Sequence, residues 1–147
     1  MLHPSCTGLK GFMELNAVIH PETFRRNRNK SIRIGRIAGR VAIKQSSAGR
    51  HWFVEQPKGS DMYHLPEWTE IAKFACWIIV FMCAAGMVGE RTGLPIMKPT
   101  EVWASDWQFI EPLRRFMVCR CVRHAQIGND ESSVKAQVWP EVLPRRR

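Results

Sequence analysis

Three groups of side chains have residue types and spacing suited to chemistry. The first is a carboxylate. In Gln45-Ser46-Ser47-Ala48-Gly49-Arg50-His51-Trp52-Phe53-Val54-Glu55-Gln56-Pro57, Glu55 ends a short apolar run. The C-terminal end of a strand is where open α/β sheets place ligands, and a carboxyl group there can bond a heterocyclic base edge. The alternative is a strand-end glutamate capping a turn, since one carboxylate alone defines no reaction. The second group is Cys119-x-Cys121-x-x-His124, with Cys76 and Cys83 elsewhere. Thiolates and imidazole bind zinc, but structural sites commonly separate paired cysteines by two to four residues. A C-x-C pair is tight and leaves the fourth ligand unspecified, so the thiols are read as buried or idle and no metal is assigned. The third group comprises Arg33, Arg36, Arg40, Arg50, Lys98 and Thr100, candidate phosphate contacts. Trp52, Tyr63, Trp68, Trp103 and Trp107 offer stacking surfaces for bases, or the core that a short chain needs.

Charge placement sharpens the third group. The chain has 147 residues, a formal charge of +9 and a pI near 9.9. Residues 1–50 hold ten Lys/Arg against Glu14 and Glu22; residues 51–144 are net acidic, and Arg145, Arg146 and Arg147 follow. A one-sign segment attracts polyanions, nucleic acid before anionic lipid. Hydrophobic residues at 45% and charged residues at 24% exclude a disordered, collagenous or low-complexity chain. Five cysteines form no even, dense disulfide framework, and Met1–Phe12 lacks a secretory apolar core; both favour an intracellular, nuclear or cytoplasmic, location.

These groups need elements to hold them. Residues 1–30 read as a basic, irregular and poorly ordered segment, residues 31–144 as the folded part, and residues 145–147 as a basic tail. From Ser31 a helix is predicted, with Ile34, Ile37 and Val41 on one face and Arg33, Arg36 and Arg40 on the next; Gly35 and Gly39 weaken it by roughly 1 kcal/mol each. A strand over His51–Glu55, a helix opened by Pro66, a strand over Trp77–Phe81 buried on both faces, and an extended Lys98–Trp103 follow. Ser105 or Asp106 is expected to cap a helix carrying Phe109, Ile110, Leu113, Phe116 and Met117, and Ala136–Leu143 to close the chain. Strands alternating with helices imply an α/β fold with a mostly parallel sheet and flanking helices. Phe74–Val88 is uncharged but shorter than the ~20 residues of a spanning helix, so it is read as core, with a membrane-associated protein using 74–88 as an alternative.

The order of motifs from Gln45 to Leu143 resembles the C-terminal half of a cytosine-5 DNA methyltransferase-like domain of the phage and retrotransposon-type open-reading-frame kind. The resemblance is carried by Gly49-Arg50 with Phe53, Glu55 and Pro57, then Ser60 and Leu65-Pro66, then Cys83 and Gly86. It continues with Lys98-Pro99-Thr100 and Trp103, with Cys121, His124 and Gly128, and with Ala136-Gln137-x-Trp139-Pro140-x-x-Leu143. It implies a partial Rossmann-like sheet and a vestigial catalytic role for Glu55, which matches the glutamate that contacts the target cytosine. The chain departs from the family at Gln56, where the family has Asn. It also has no cysteine preceded by proline to attack the ring and no Gly-x-Gly to cradle a methyl donor. The resemblance therefore implies a truncated, methyltransferase-like remnant that is inactive alone. S-adenosylmethionine would bind only if a missing N-terminal half were supplied. Expected partners are nucleic acid, DNA rather than RNA, and a second copy through an unpaired sheet edge, with no membrane partner. A small basic nucleic-acid-binding protein with no enzymatic ancestry is the alternative.

Overall fold

Pro21 supplies a preset φ at the first helical turn and Glu22 an acid near the positive helix end. From there a single helix, α1 (Pro21–Ser47), runs 27 residues, about 40 Å at 1.5 Å per residue. The computed structural model describes Leu9 and residues 17–89 and 92–125. Residues 21–30, expected to be irregular, are thus the first turns of this helix, and Arg28 ties them to the body through Asp61 at 2.9 Å. The closing element expected at Ala136–Leu143 and the terminal arginines lie outside the described residues.

The buried face of α1 is not the Ile34/Ile37/Val41 face. Ser31, Gly35, Ala38, Gly39 and Ala42 are buried, whereas Ile37 is 52% exposed. The small residues admit a close neighbour: α2 (Pro66–Ile71) packs across them. A Cβ on Gly39 would stand 2.7 Å from the Glu67 Cβ, and the Trp68 indole N–H donates to the Gly35 carbonyl at 2.9 Å. Gly39, one of the two glycines that weaken the isolated helix, is thus the one that lets α2 seat, while Gly35 faces Leu65 and Met62 just before it. Trp68 then meets Trp52, Tyr63 and Trp103 edge-on, and Tyr63 stacks on Trp103 at 4.5 Å. All four rings are buried, so these aromatics form core and not a stacking platform.

Three strands, β1 (Phe53–Pro57), β2 (Cys76–Phe81) and β3 (Pro99–Ala104), form one sheet in the order β1-β3-β2. Both pairings are antiparallel, with Glu55 opposite Val102 and Ile78 opposite Val102 from the other side. This overturns the expected mostly parallel, partial Rossmann-like sheet. The crossover through α2 does set β1 and β2 in the same direction. It places them two positions apart, however, and β3 fills the slot running the opposite way. Among the described residues β2 is consequently an edge strand and β1 the other edge; in β2, Ile78 and Val80 are buried while Trp77 is 50% exposed, not the doubly covered strand expected.

One sheet face carries Val54 and Trp103 under α1 and α2. The other packs Ile78, Val80 and Val102 against Met82, Ala85, Met87, Ile96, Ile110, Leu113 and Phe116. The segment after β3 is not the expected α-helix but two 3-10 turns, Trp107–Phe109 and Glu111–Phe116. Pro112 has no N–H to give an α-helical bond and interrupts the run. Asp106 does cap its start, accepting from the Gln108 N–H at 2.9 Å. Residues 74–88 hold β2 and a turn, and no helix among the described residues is long and apolar enough to cross a membrane.

Candidate functional site

Helix geometry sorts the cations of α1. At 100° per residue, Arg26, Lys30, Arg33, Arg40 and Lys44 fall within about 80° of arc, with Ile37 among them. The stripe lies opposite the buried Gly35/Ala38/Gly39 face, so packing of α2 turns it outward. All five side chains are exposed, and none has a carboxylate within ion-pair distance among the described residues. From Arg26 to Lys44 the stripe is about 27 Å long. Arg36 is different: it reaches sideways to Glu67 at 3.0 Å. Burial by itself would raise the Glu67 pKa. The carboxyl is nonetheless held below its ordinary value by its backbone hydrogen bond, by the bond from Arg36 and by the charges of Arg36 and Arg40. Arg36 is therefore part of the α1–α2 joint. Arg50, just past the end of α1, is exposed.

The other expected contacts point inward. Thr100 is buried, with its hydroxyl donating to the Lys98 carbonyl at 3.4 Å, and so presents nothing to a phosphate. Lys98 approaches the Glu55 carboxylate at 3.5 Å, with both side chains largely covered. Glu55 does sit in a strand, as expected, but at its middle and only 5% exposed, not at an open rim. The sheet brings Glu55 and Lys98 together, and the pair they form is a buried structural one.

A separate cluster gathers beyond the sheet. Cys83 lies in the tight turn after β2, where Ala85 N bonds Met82 O, Gly86 N bonds Cys83 O, and Gly86 takes a φ of 89°. Cys119, Cys121 and His124 follow the last 3-10 turn. Ala125 fixes the far end of that segment by bonding the Pro95 carbonyl at 2.8 Å and bridging Ile96. Cys83 Sγ is 3.4 Å from Cys119 Sγ, and Cys119 Sγ is 3.1 Å from His124 Nε2. The four ligand-type atoms all lie within 4.8 Å of one another. Burial pushes the Cys83 thiol up to about 12, while hydrogen bonds from the Cys121 backbone and from Cys83 bring Cys119 down to about 7. Three sulfurs and one imidazole nitrogen thus converge as a donor set of metal-ligand type.

Sequence reasoning missed two parts of this picture. Arg26, Lys30 and Lys44 were not joined to Arg33 and Arg40, although Pro21-Glu22 is a helix-start signal and the i, i+4, i+7 spacing continues back from Arg33. The choice of Cys83 over Cys76 as the companion of Cys119-x-Cys121-x-x-His124 is the other, since nothing in the spacing connects Cys83 to residues 36 positions on. No family model, curated protein or solved structure matches this chain.

Proposed function

We propose that this protein is a non-catalytic nucleic-acid-binding module that lays the outer face of α1 along the phosphates of duplex DNA. The observation that supports it is the exposed Arg26/Lys30/Arg33/Arg40/Lys44 stripe on the helix side opposite its packed face. Five cations over about 27 Å of rigid helix neutralise a phosphate row without ordering a flexible tail. An α-helix is also the element a major groove admits. The reading contains no base-specific step and no chemistry, because Glu55 is covered and engaged with Lys98.

The test is a fluorescence-anisotropy titration of a labelled DNA duplex with the full chain. A variant carrying Gln at Arg26, Lys30, Arg33, Arg40 and Lys44, with its helical circular dichroism retained, should lose at least a hundredfold in affinity. Unchanged binding by that variant, or tighter binding to anionic vesicles than to DNA, overturns the proposal.

A further inference from the structure

We propose that Cys83, Cys119, Cys121 and His124 hold a structural zinc ion that fastens the segment after the last 3-10 turn to the β2–β3 loop. This goes beyond DNA binding and does not depend on it. The first ground is geometric. Zinc bonds thiolate sulfur at about 2.3 Å and imidazole nitrogen at about 2.0–2.1 Å, so tetrahedral ligands stand roughly 3.8 Å apart sulfur to sulfur and 3.6 Å sulfur to nitrogen. The 3.4 Å and 3.1 Å separations lie a few tenths of an ångström inside those spacings, and no donor atom in the set is more than 4.8 Å from another. Modest opening of the cluster admits the ion.

The second ground is packing. Residues 117–125 have no regular secondary structure beyond the Ala125 bridge; Ala125 packs on the core at the far end, but the larger apolar side chains are exposed, Val118 at 61% and Val122 at 98%. Burial of Ala125 holds only the far end, and hydrophobic burial does not explain why residues 117–124 fold back onto the Cys83 turn. Four ligands drawn from two chain segments do, since metal binding to ligands brought together by folding stabilises the folded state directly. The third ground is the donor set. Three thiolates and one imidazole make a closed site with no position left for water or substrate, which is the mark of a structural ion. The complex would carry one net negative charge, and the exposed Arg120 and Arg123 lie between its ligands in sequence to offset it.

The experiment uses the full chain, reduced, given excess zinc sulfate and desalted. Elemental analysis should find one zinc per chain. Cobalt(II) added to metal-free protein should give thiolate-to-metal charge transfer and the intense ligand-field bands of a tetrahedral site. Cys119→Ser and His124→Ala should each weaken zinc retention at least a hundredfold, whereas Cys76→Ser, outside the cluster, should leave it unchanged. Should a ligand variant not fold, the stoichiometry and cobalt spectrum of the unaltered chain decide the matter. A zinc content near zero, absent tetrahedral bands, or equal loss in Cys76→Ser and Cys119→Ser overturns the assignment, as does a Cys83–Cys119 disulfide that persists under reduction.

Discussion

Replacing Arg33 and Arg40 by glutamine should change how DNA binding responds to salt by a calculable amount. Each cation seated on a B-DNA phosphate releases condensed counterion and contributes about −0.9 to the slope of log affinity against log salt. The outward stripe of α1 holds five such cations, which gives a slope of about −4.5 and a fall of about 500-fold between 50 and 200 mM salt. Removing two leaves three, a slope of about −2.7 and a fall of only about 40-fold over the same range. Arg36 provides the internal control. It is engaged with Glu67 at the α1–α2 joint, so Arg36→Gln should leave the slope within about half a unit of the parent while lowering stability. Anisotropy titrations of one duplex at five salt concentrations measure all three slopes. A parent slope shallower than about −2, or an Arg36→Gln variant that flattens the slope as much as the double substitution, would refute the assignment of the stripe.

Other outcomes follow from packing and charge. Gly39→Ala should destabilise the chain by roughly 1–2 kcal/mol in urea melts, because α2 must shift from the added methyl by more than the gain in helix propensity offsets. Gly35→Ala meets the Leu65 Cδ1 at 3.0 Å and the Met62 Cγ at 3.1 Å, side-chain atoms that can give where the Glu67 Cβ on α2 cannot, and should cost less than Gly39→Ala; equal effects at both positions contradict the packing account. Glu67 has a lowered folded-state pKa, so its contribution is full above the unfolded value of about 4.3 and is lost as pH falls through the lower folded value. The stability gap between the parent and Glu67→Gln should therefore be constant near neutrality and shrink on acidification; a gap that grows toward low pH has the wrong sign. Lys98→Met removes the cation beside the buried Glu55 and should cost about 3 kcal/mol, and adding Glu55→Gln should recover much of it in a thermal or urea melt.

The parts of the fold carried by local pattern were legible in the sequence. Pro66 opening a helix, the Trp77–Phe81 strand, Lys98–Trp103 as extended chain (Pro99–Ala104 in the fold) and Asp106, one of two candidate caps, all match in place, because each rests on a proline, a β-branched run or a capping oxygen close at hand. The errors arose where distant partners decide. Ile34, Ile37 and Val41 are the more hydrophobic face of α1, yet α2 chose the small residues, since closeness of approach outweighed side-chain area. Residues 25–30 carry so much charge that they resemble a tail, although Asp61, 33 positions beyond Arg28, secures them. Strand direction could not be read from alternation at all: nothing in β1 or β2 announces that a third strand will enter between them. Of the candidate site residues, Arg33 and Arg40 stand on an open surface because helix periodicity put them there, while Thr100 and Lys98 were turned inward by strand pairings that no short motif encodes.

The strand order has a consequence for synthesis on the ribosome. β1 and β2 emerge first, but neither can hydrogen-bond the other across the gap that β3 occupies. Until Ala104 has cleared the exit tunnel, both carry unsatisfied edges beside exposed tryptophan and isoleucine. α1 and α2 can pack together early, but the sheet closes only when the central strand arrives last. A stop codon before residue 99 would therefore release a chain whose β1 and β2 segments both lack their partner strand and are prone to aggregate.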